Sequence, residues 1–324
     1  MPQFSSFALQ RRGVTVPHRF AVAFLALVSL FGGLNATALA QQNERALFVS
    51  VVDASDTPVL GLPPDEFVVE EDGVQREVLR VRLARTPMQL TILVDTSGAA
   101  AFALADVRTA LETLVSALHQ ENEIALVTFG GPPRILVEST SRLNRLQDGI
   151  GRIFTFSDSA AYLLDALVET ARGFERRVSQ RPVVIVVTSE GVDYSRYGAK
   201  EALEALEATS AATHVLVLKN RANTRALLSA RFGGQIGPND PYQRELALAQ
   251  IPEATGGQRH DLLLSSALDR TLDQLTATLT NQYELVYSRP TSLIPPETIS
   301  VSMRRDDLRA QATPVKMTGN GSPR

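Results

Sequence analysis

The chain contains no cysteine. That single absence excludes disulfides, thiolate metal sites and cysteine nucleophiles, so the fold must be held by its apolar cores alone. An excess of positive charge is also missing. Lys and Arg number 32 against 35 Asp and Glu, a formal −3, which argues against a general nucleic-acid binder. There is no GxxxxGKS/T phosphate cradle, no GxGxxG after a strand, no HExxH and no GxSxG, so none of the familiar catalytic loops announces itself. His119, His214 and His260 fall on different predicted elements without metal-ligand spacing. Core or surface roles are expected for them, with His119 complementing a helix dipole. Internal repeats and low-complexity tracts are absent. No catalytic role is expected; a hydrolase with an unrecognised site is the enzymatic alternative.

What is present begins with a basic, apolar start. Arg11, Arg12 and Arg19 precede residues 20–34 (FAVAFLALVSLFGGL), and Ala38-Leu39-Ala40 places small residues where a signal peptidase reads them. The expectation is a signal peptide over 1–40, cleaved after Ala40, and a periplasmic or secreted protein. A retained anchor is the alternative. Cleavage removes three arginines and no acid, moving the formal charge from −3 to −6. No later run approaches the roughly 20 apolar residues a membrane span needs. An exported protein without cysteine fits a bacterial envelope better than a disulfide-rich animal secretome.

The remaining 284 residues, 41 to 324, divide by pattern. Residues 44–85 read as a small β segment with a two-residue hairpin at Asp72-Gly73. Beyond it, Leu79, Val81 and Leu83 alternate with Arg80 and Arg82. From residue 86 to 286, buried-strand runs (90–94, 124–129, 182–188, 214–218) alternate with helical stripes such as Leu104, Val107, Leu111, Leu114 and Leu118. A short edge strand is expected at 135–137. Continuous apolar strands between amphipathic helices predict an α/β domain, a doubly wound, Rossmann-like open sheet of about six strands. Residues 220–242 read as an irregular loop. Residues 295–315 are expected to form a C-terminal β hairpin, packed with the N-terminal β segment as a small accessory β module, and 317–324 a frayed tail. In an open α/β sheet, ligands bind beyond the carboxyl ends of the strands. Asp95, Ser97 and Glu190 fall there.

Asp95-Thr96-Ser97-Gly98-Ala99, directly after a buried strand, resembles the first metal-motif segment of von Willebrand factor A domains. Leu164-Asp165-Ala166-Leu167 is similar to that family's second helix, and residues 187–193 (VTSEGVD) occupy the place of its Ser-Asp-Gly loop. The segment Asp53 to Gly73 and the strand QYELVY at 282–287 resemble parts of a bacterial exported subgroup. The resemblance implies a vWA-type fold and one divalent cation, usually Mg2+, held by an Asp-x-Ser-x-Ser loop, a Thr and an Asp, with an acidic partner residue completing the shell. This sequence departs from that set. Asp95 and Ser97 match, Ala99 replaces the second serine, Ala161 takes the threonine position, and Glu190 replaces the aspartate. Ser159, Asp158 or Asp193 lie near enough in sequence to supply an oxygen. The expectation is a non-enzymatic, adhesion-type protein-binding module with a degenerate metal site and an unidentified protein partner. The alternative is a module that uses Asp95, Ser97 and Glu190 to bind Mg2+ weakly. For Asp95 and Ser97 the competing structural role is capping the next helix. For Glu190 it is a solvated loop carboxylate, and for Asp165 a cap or ion pair.

Overall fold

The computed structural model describes residues 44–155, 159–225, 241–289, 296 and 298–314. The expected signal peptide at 1–40, most of the expected loop, Asp158 and the expected tail at 317–324 lie outside the described residues. Glu44–Val52 forms β1, Phe67–Glu71 β2, Val74–Arg76 β3 and Val78–Leu83 β4. Strands β2 and β3 make a hairpin in which Asp72 and Gly73 both take positive φ, 50° and 75°. This is the mirror-image turn whose twist matches the strands it joins.

Gln89–Val94 is β5, Leu104–Leu118 is helix α1, Glu123–Thr128 is β6 and Arg134–Thr140 is β7. Leu143–Gly151 (α2), Leu163–Arg177 (α3), Pro182–Ser189 (β8), Ala199–Thr209 (α4) and Ala212–Leu218 (β9) follow. Then come Pro241–Thr255 (α5), Arg259–Leu262 (β10) and Leu268–Thr280 (α6). Six strands form one sheet in the order β10-β9-β8-β5-β6-β7, parallel except for the β6–β7 pair. Side chains alternate between its faces. Leu90, Ile92 and Val94 of β5 pack with Leu111, Leu114, Leu272 and Leu275, whereas Leu93 packs with Leu164, Leu167 and Phe174. Apolar on both faces, the strand must be covered by helices on both sides. From β5 the chain moves to β6 on one side and returns to β8 on the other. The carboxyl ends of β5 and β8 therefore flank the point where strand order reverses, the ligand crevice of doubly wound sheets.

Tyr283–Ser288 (β11), Ile299–Met303 (β12) and Arg309–Pro314 (β13) complete the strands of the described residues. The α/β boundary expected at 286 runs through β11, which pairs with β1 and β4 rather than with the large sheet. Nor do β12 and β13 pair as the expected C-terminal hairpin. The N-terminal segment offers two open edges: β13 pairs with β1 and β12 with β2. The two small sheets, β13-β1-β11-β4 and β12-β2-β3, enclose a core of Leu47, Val49, Val51, Phe67, Val69, Leu285 and Tyr287. Strand β4 breaks its expected alternation because β11 skips Leu79 between Arg80 and Val78. The inserted residue shifts the phase, so Val78 and Val81 pack on the core while Leu79 and Leu83 are exposed. No helix among the described residues is long and apolar enough to cross a membrane.

Candidate site at the strand ends

Strand β5 ends one residue before Asp95, so the backbone delivers this carboxylate to the crevice. Its amide donates to Val187 O of β8 at 2.9 Å, fixing the position. The side chain is buried and heavily used. Asp95 Oδ1 accepts from Ser97 N at 2.9 Å, and Oδ2 accepts from Thr188 Oγ1 at 2.9 Å and from Ser189 N and Oγ, each at 3.2 Å. A further donor comes from Arg244 on α5, whose Nη2 lies 3.3 Å from Asp95 Oδ2, 2.5 Å from Thr188 Oγ1 and 2.6 Å from Ser189 O. The Asp95 and Arg244 side chains are 1% and 3% exposed.

Ser97 closes the turn after β5 through its amide. Its hydroxyl is buried and has no hydrogen-bond partner among the described residues. It does not cap the turn of 3₁₀ helix at Gly98–Ala103, which it precedes. Ala99 contributes no side-chain oxygen, and its carbonyl accepts from Asn223 Nδ2 at 2.7 Å. Gly130, after β6, lies against the motif loop so closely that a Cβ there would overlap the Thr96 carbonyl carbon. Glycine is required by that approach.

Glu190 follows β8 but does not join Asp95. Its carboxylate accepts from Lys219 Nζ at 2.9 Å and from Thr224 Oγ1 at 2.5 Å. Ala161 is buried and bridges Gly130 and Asp193 through its backbone. Ser159 Oγ donates to Thr96 O at 3.3 Å. Asp193 accepts from Leu163 N at 2.8 Å and Ser195 N at 2.9 Å. Asp165 returns the bond to that loop, accepting from Arg196 N at 2.9 Å. These two aspartates lock the third loop to the start of α3, a capping role.

The donor set does not fit a divalent ion. Mg2+ takes about six oxygens in near-octahedral array and dehydrates reluctantly. Here Asp95 Oδ2 already receives four donors, one of them a guanidinium, Glu190 is held by a lysine, and positions 99 and 161 carry methyl groups. Among the described residues no group of three or more His, Cys, Asp or Glu is placed to hold a metal. The unpartnered Ser97 hydroxyl is the one feature of the set that a cation would satisfy.

Sequence reasoning brought Asp95 and Ser97 to one loop and missed Arg244. A usable signal existed: Pro241 suits the first turn of a helix, where the missing N–H is not needed. Pro252, inside the same helix, obscured the rest.

An open α/β sheet with a carboxylate loop at its switch point defines a doubly wound α/β domain. Residues 90–192 match the model of the von Willebrand factor type A domain family. The matched stretch, under half of the chain, runs from β5 to the loop after β8 and is similar to that family. Solved structures it is similar to include a von Willebrand factor type A protein from Catenulispora acidiphila (10% identity, 84% of this chain and 72% of that one, TM-score 0.46). Another is the conserved hypothetical protein BatB from Bacteroides thetaiotaomicron (16%, 60% and 100%, TM-score 0.41). A third is a point mutant of the PilB minor pilin from Streptococcus sanguinis (11%, 61% and 62%, TM-score 0.44). No curated protein matches the sequence.

Proposed function

We propose that this protein is an exported, non-catalytic recognition module that binds a protein partner through the loops beyond β5 and β8 without a divalent ion. The observation that carries the reading is the saturation of Asp95: its carboxylate accepts from Ser97 N, Thr188 Oγ1, Ser189 N and Oγ, and Arg244 Nη2. Exposed Phe102, just past the motif loop, and exposed Tyr194, on the loop after β8, supply aromatic surface of the kind enriched at interfaces. The leader read at residues 1–40 supports delivery to the envelope or outside the cell.

Titration of the purified mature protein with MgCl2 and MnCl2 tests the metal-free reading. No binding heat and no change in melting temperature at millimolar metal are expected. Capture from envelope extracts should be indifferent to chelator and weakened by Phe102→Ala and Tyr194→Ala. The orphaned Ser97 hydroxyl favours the second reading, a weak Mg2+ site, and a saturable heat lost in Ser97→Ala would select it. Sequencing the amino terminus of the envelope form should give Gln41 first.

A further inference from the structure

We propose that Arg244 is the resident cation of this site: its guanidinium takes the place that a divalent ion would fill and balances Asp95 permanently. The proposal rests on the metal-free reading above and adds the identity of the replacing group. Three observations carry it. First, Nη2 sits on the oxygens that surround the strand-end carboxylate, with Asp95 Oδ2 at 3.3 Å, Thr188 Oγ1 at 2.5 Å and Ser189 O at 2.6 Å. These are acceptors at the ends of β5 and β8, and they are charged or polarised toward a positive group.

Second, the neighbouring positions make room for it. A Cβ built on Gly191 would lie 3.5 Å from Arg244 Nη1 and 3.4 Å from the Ala99 methyl. The niche is thus walled by a glycine and an alanine, and position 99 is the same one that lacks a hydroxyl ligand. Arg244 Nη1 and Nε, like Ser97 Oγ, have no hydrogen-bond partner among the described residues.

Third, the cation is pre-positioned by folding. Helix α5 is anchored by Leu248 and Ile251 in the core beneath it, and Gln243 Oε1 accepts from Ala199 N of α4 at 3.0 Å. A planar, weakly hydrated guanidinium is easier to bury against carboxylate and carbonyl oxygens than a strongly hydrated ammonium or Mg2+. With both side chains almost fully buried, either charge left alone carries an unfavourable desolvation that its partner offsets. A second cation would meet a neutralised, occupied carboxylate.

The test compares thermal melts of the mature wild-type protein, Arg244→Ala, the single variants Asp95→Asn and Arg244→Met, and the paired-neutral variant that combines those two. Each is measured with EDTA, with MnCl2 and with methylguanidinium at non-denaturing concentration. The wild type should be indifferent to all three. Arg244→Ala should melt about 10 °C lower and recover with Mn2+ or methylguanidinium in a saturable way, because either ion refills the vacated position. The paired-neutral variant should respond to neither ion and melt above Arg244→Ala. Should Arg244→Ala fail to fold, the paired-neutral variant still decides, melting well above Asp95→Asn alone if the two charges are coupled. Loss of stability in Arg244→Ala with no response to either ion, or strictly additive effects at 95 and 244, would overturn the assignment of Arg244. A melting shift of the wild type with Mn2+ would instead overturn the metal-free reading itself.

Discussion

A buried arginine lies at each end of strand β8, Arg181 just before it and Arg244 reaching in from α5, and the two are held in different ways. At its carboxyl end Arg244 meets the Asp95 carboxylate. Just before its amino end, Arg181 donates to neutral acceptors: Thr86 O at 3.0 Å, Leu279 O at 2.7 Å and Gln282 Oε1 at 2.7 Å. Its guanidinium carbon lies 4.9 Å from the centre of the Phe48 ring. Burial pushes the Arg181 pKa down to about 10, with Glu284 pulling the other way. Gln282 continues the chain of contacts to Ser50 of β1 through Nε2 at 2.9 Å. Arg181 is thus a clamp joining the large sheet to the accessory β module, its direct hydrogen bonds all made to neutral oxygens and its guanidinium resting on a ring face. Arg244, by contrast, lies directly against a buried carboxylate. The same side chain serves architecture at one end of the strand and charge balance at the other.

The sharpest way to break this contrast is to remove the one carboxylate. Asp95→Ala strands a buried guanidinium and unpairs Ser97 N and the Thr188 and Ser189 donors, a loss of about 3–5 kcal/mol in denaturant unfolding. Little loss would mean that Arg244 is satisfied elsewhere. Next in size, Arg181→Met leaves three acceptors without their donor and should lower stability by about 3 kcal/mol. Combined with Asp95→Ala, it should add within about 0.5 kcal/mol, as independent sites do. Strong coupling would mean that the two ends of β8 act as one.

A smaller effect comes from the strand beside β8. His214 is fully buried in β9; burial first, and His260 second, hold its pKa down to about 3 from 6.5. Its Nδ1 accepts from Gln258 N at 3.2 Å, and Nε2 has no partner among the described residues. The unfolded chain takes up the proton first as pH falls, so this contribution is intact above pH 6.5 and declines by about 1.4 kcal/mol per pH unit below it, toward pH 3. Stability measured between pH 7 and 5 should fall less steeply in His214→Gln; parallel curves would assign the slope to other groups. Smallest of all, Ala99→Ser restores one hydroxyl beside the guanidinium. It should change stability by no more than about 0.5 kcal/mol and confer no response to Mg2+, since Arg244 still fills the niche.

These sites differ in how far the sequence reveals them. The strands of the large sheet are visible because residues such as 182–188 are apolar on both faces, as a strand covered on both sides must be. Asp95 and Ser97 are visible because a strand end and a loop motif coincide. Arg244 is not, because a buried arginine and a solvated one look alike until the fold supplies Asp95 as its neighbour, 149 positions away. Glu190 looks like a ligand by position alone, and only Lys219 and Thr224 show where its charge is spent. Strand β10 (RHDL) escapes notice because a four-residue edge strand needs no apolar pattern when its pairing with β9 does the work. The β4 bulge is equally hidden, since Leu79 gives no local sign that its partner strand will pass over it.

Crystals of the wild-type protein grown in millimolar MnCl2, measured at a wavelength where manganese scatters anomalously, address the central claim most directly. Guanidinium density beside Asp95 and no anomalous peak there are expected. A peak at metal-ligand distance from Asp95 and Ser97, about 2.1 Å, with Arg244 turned away, would contradict it.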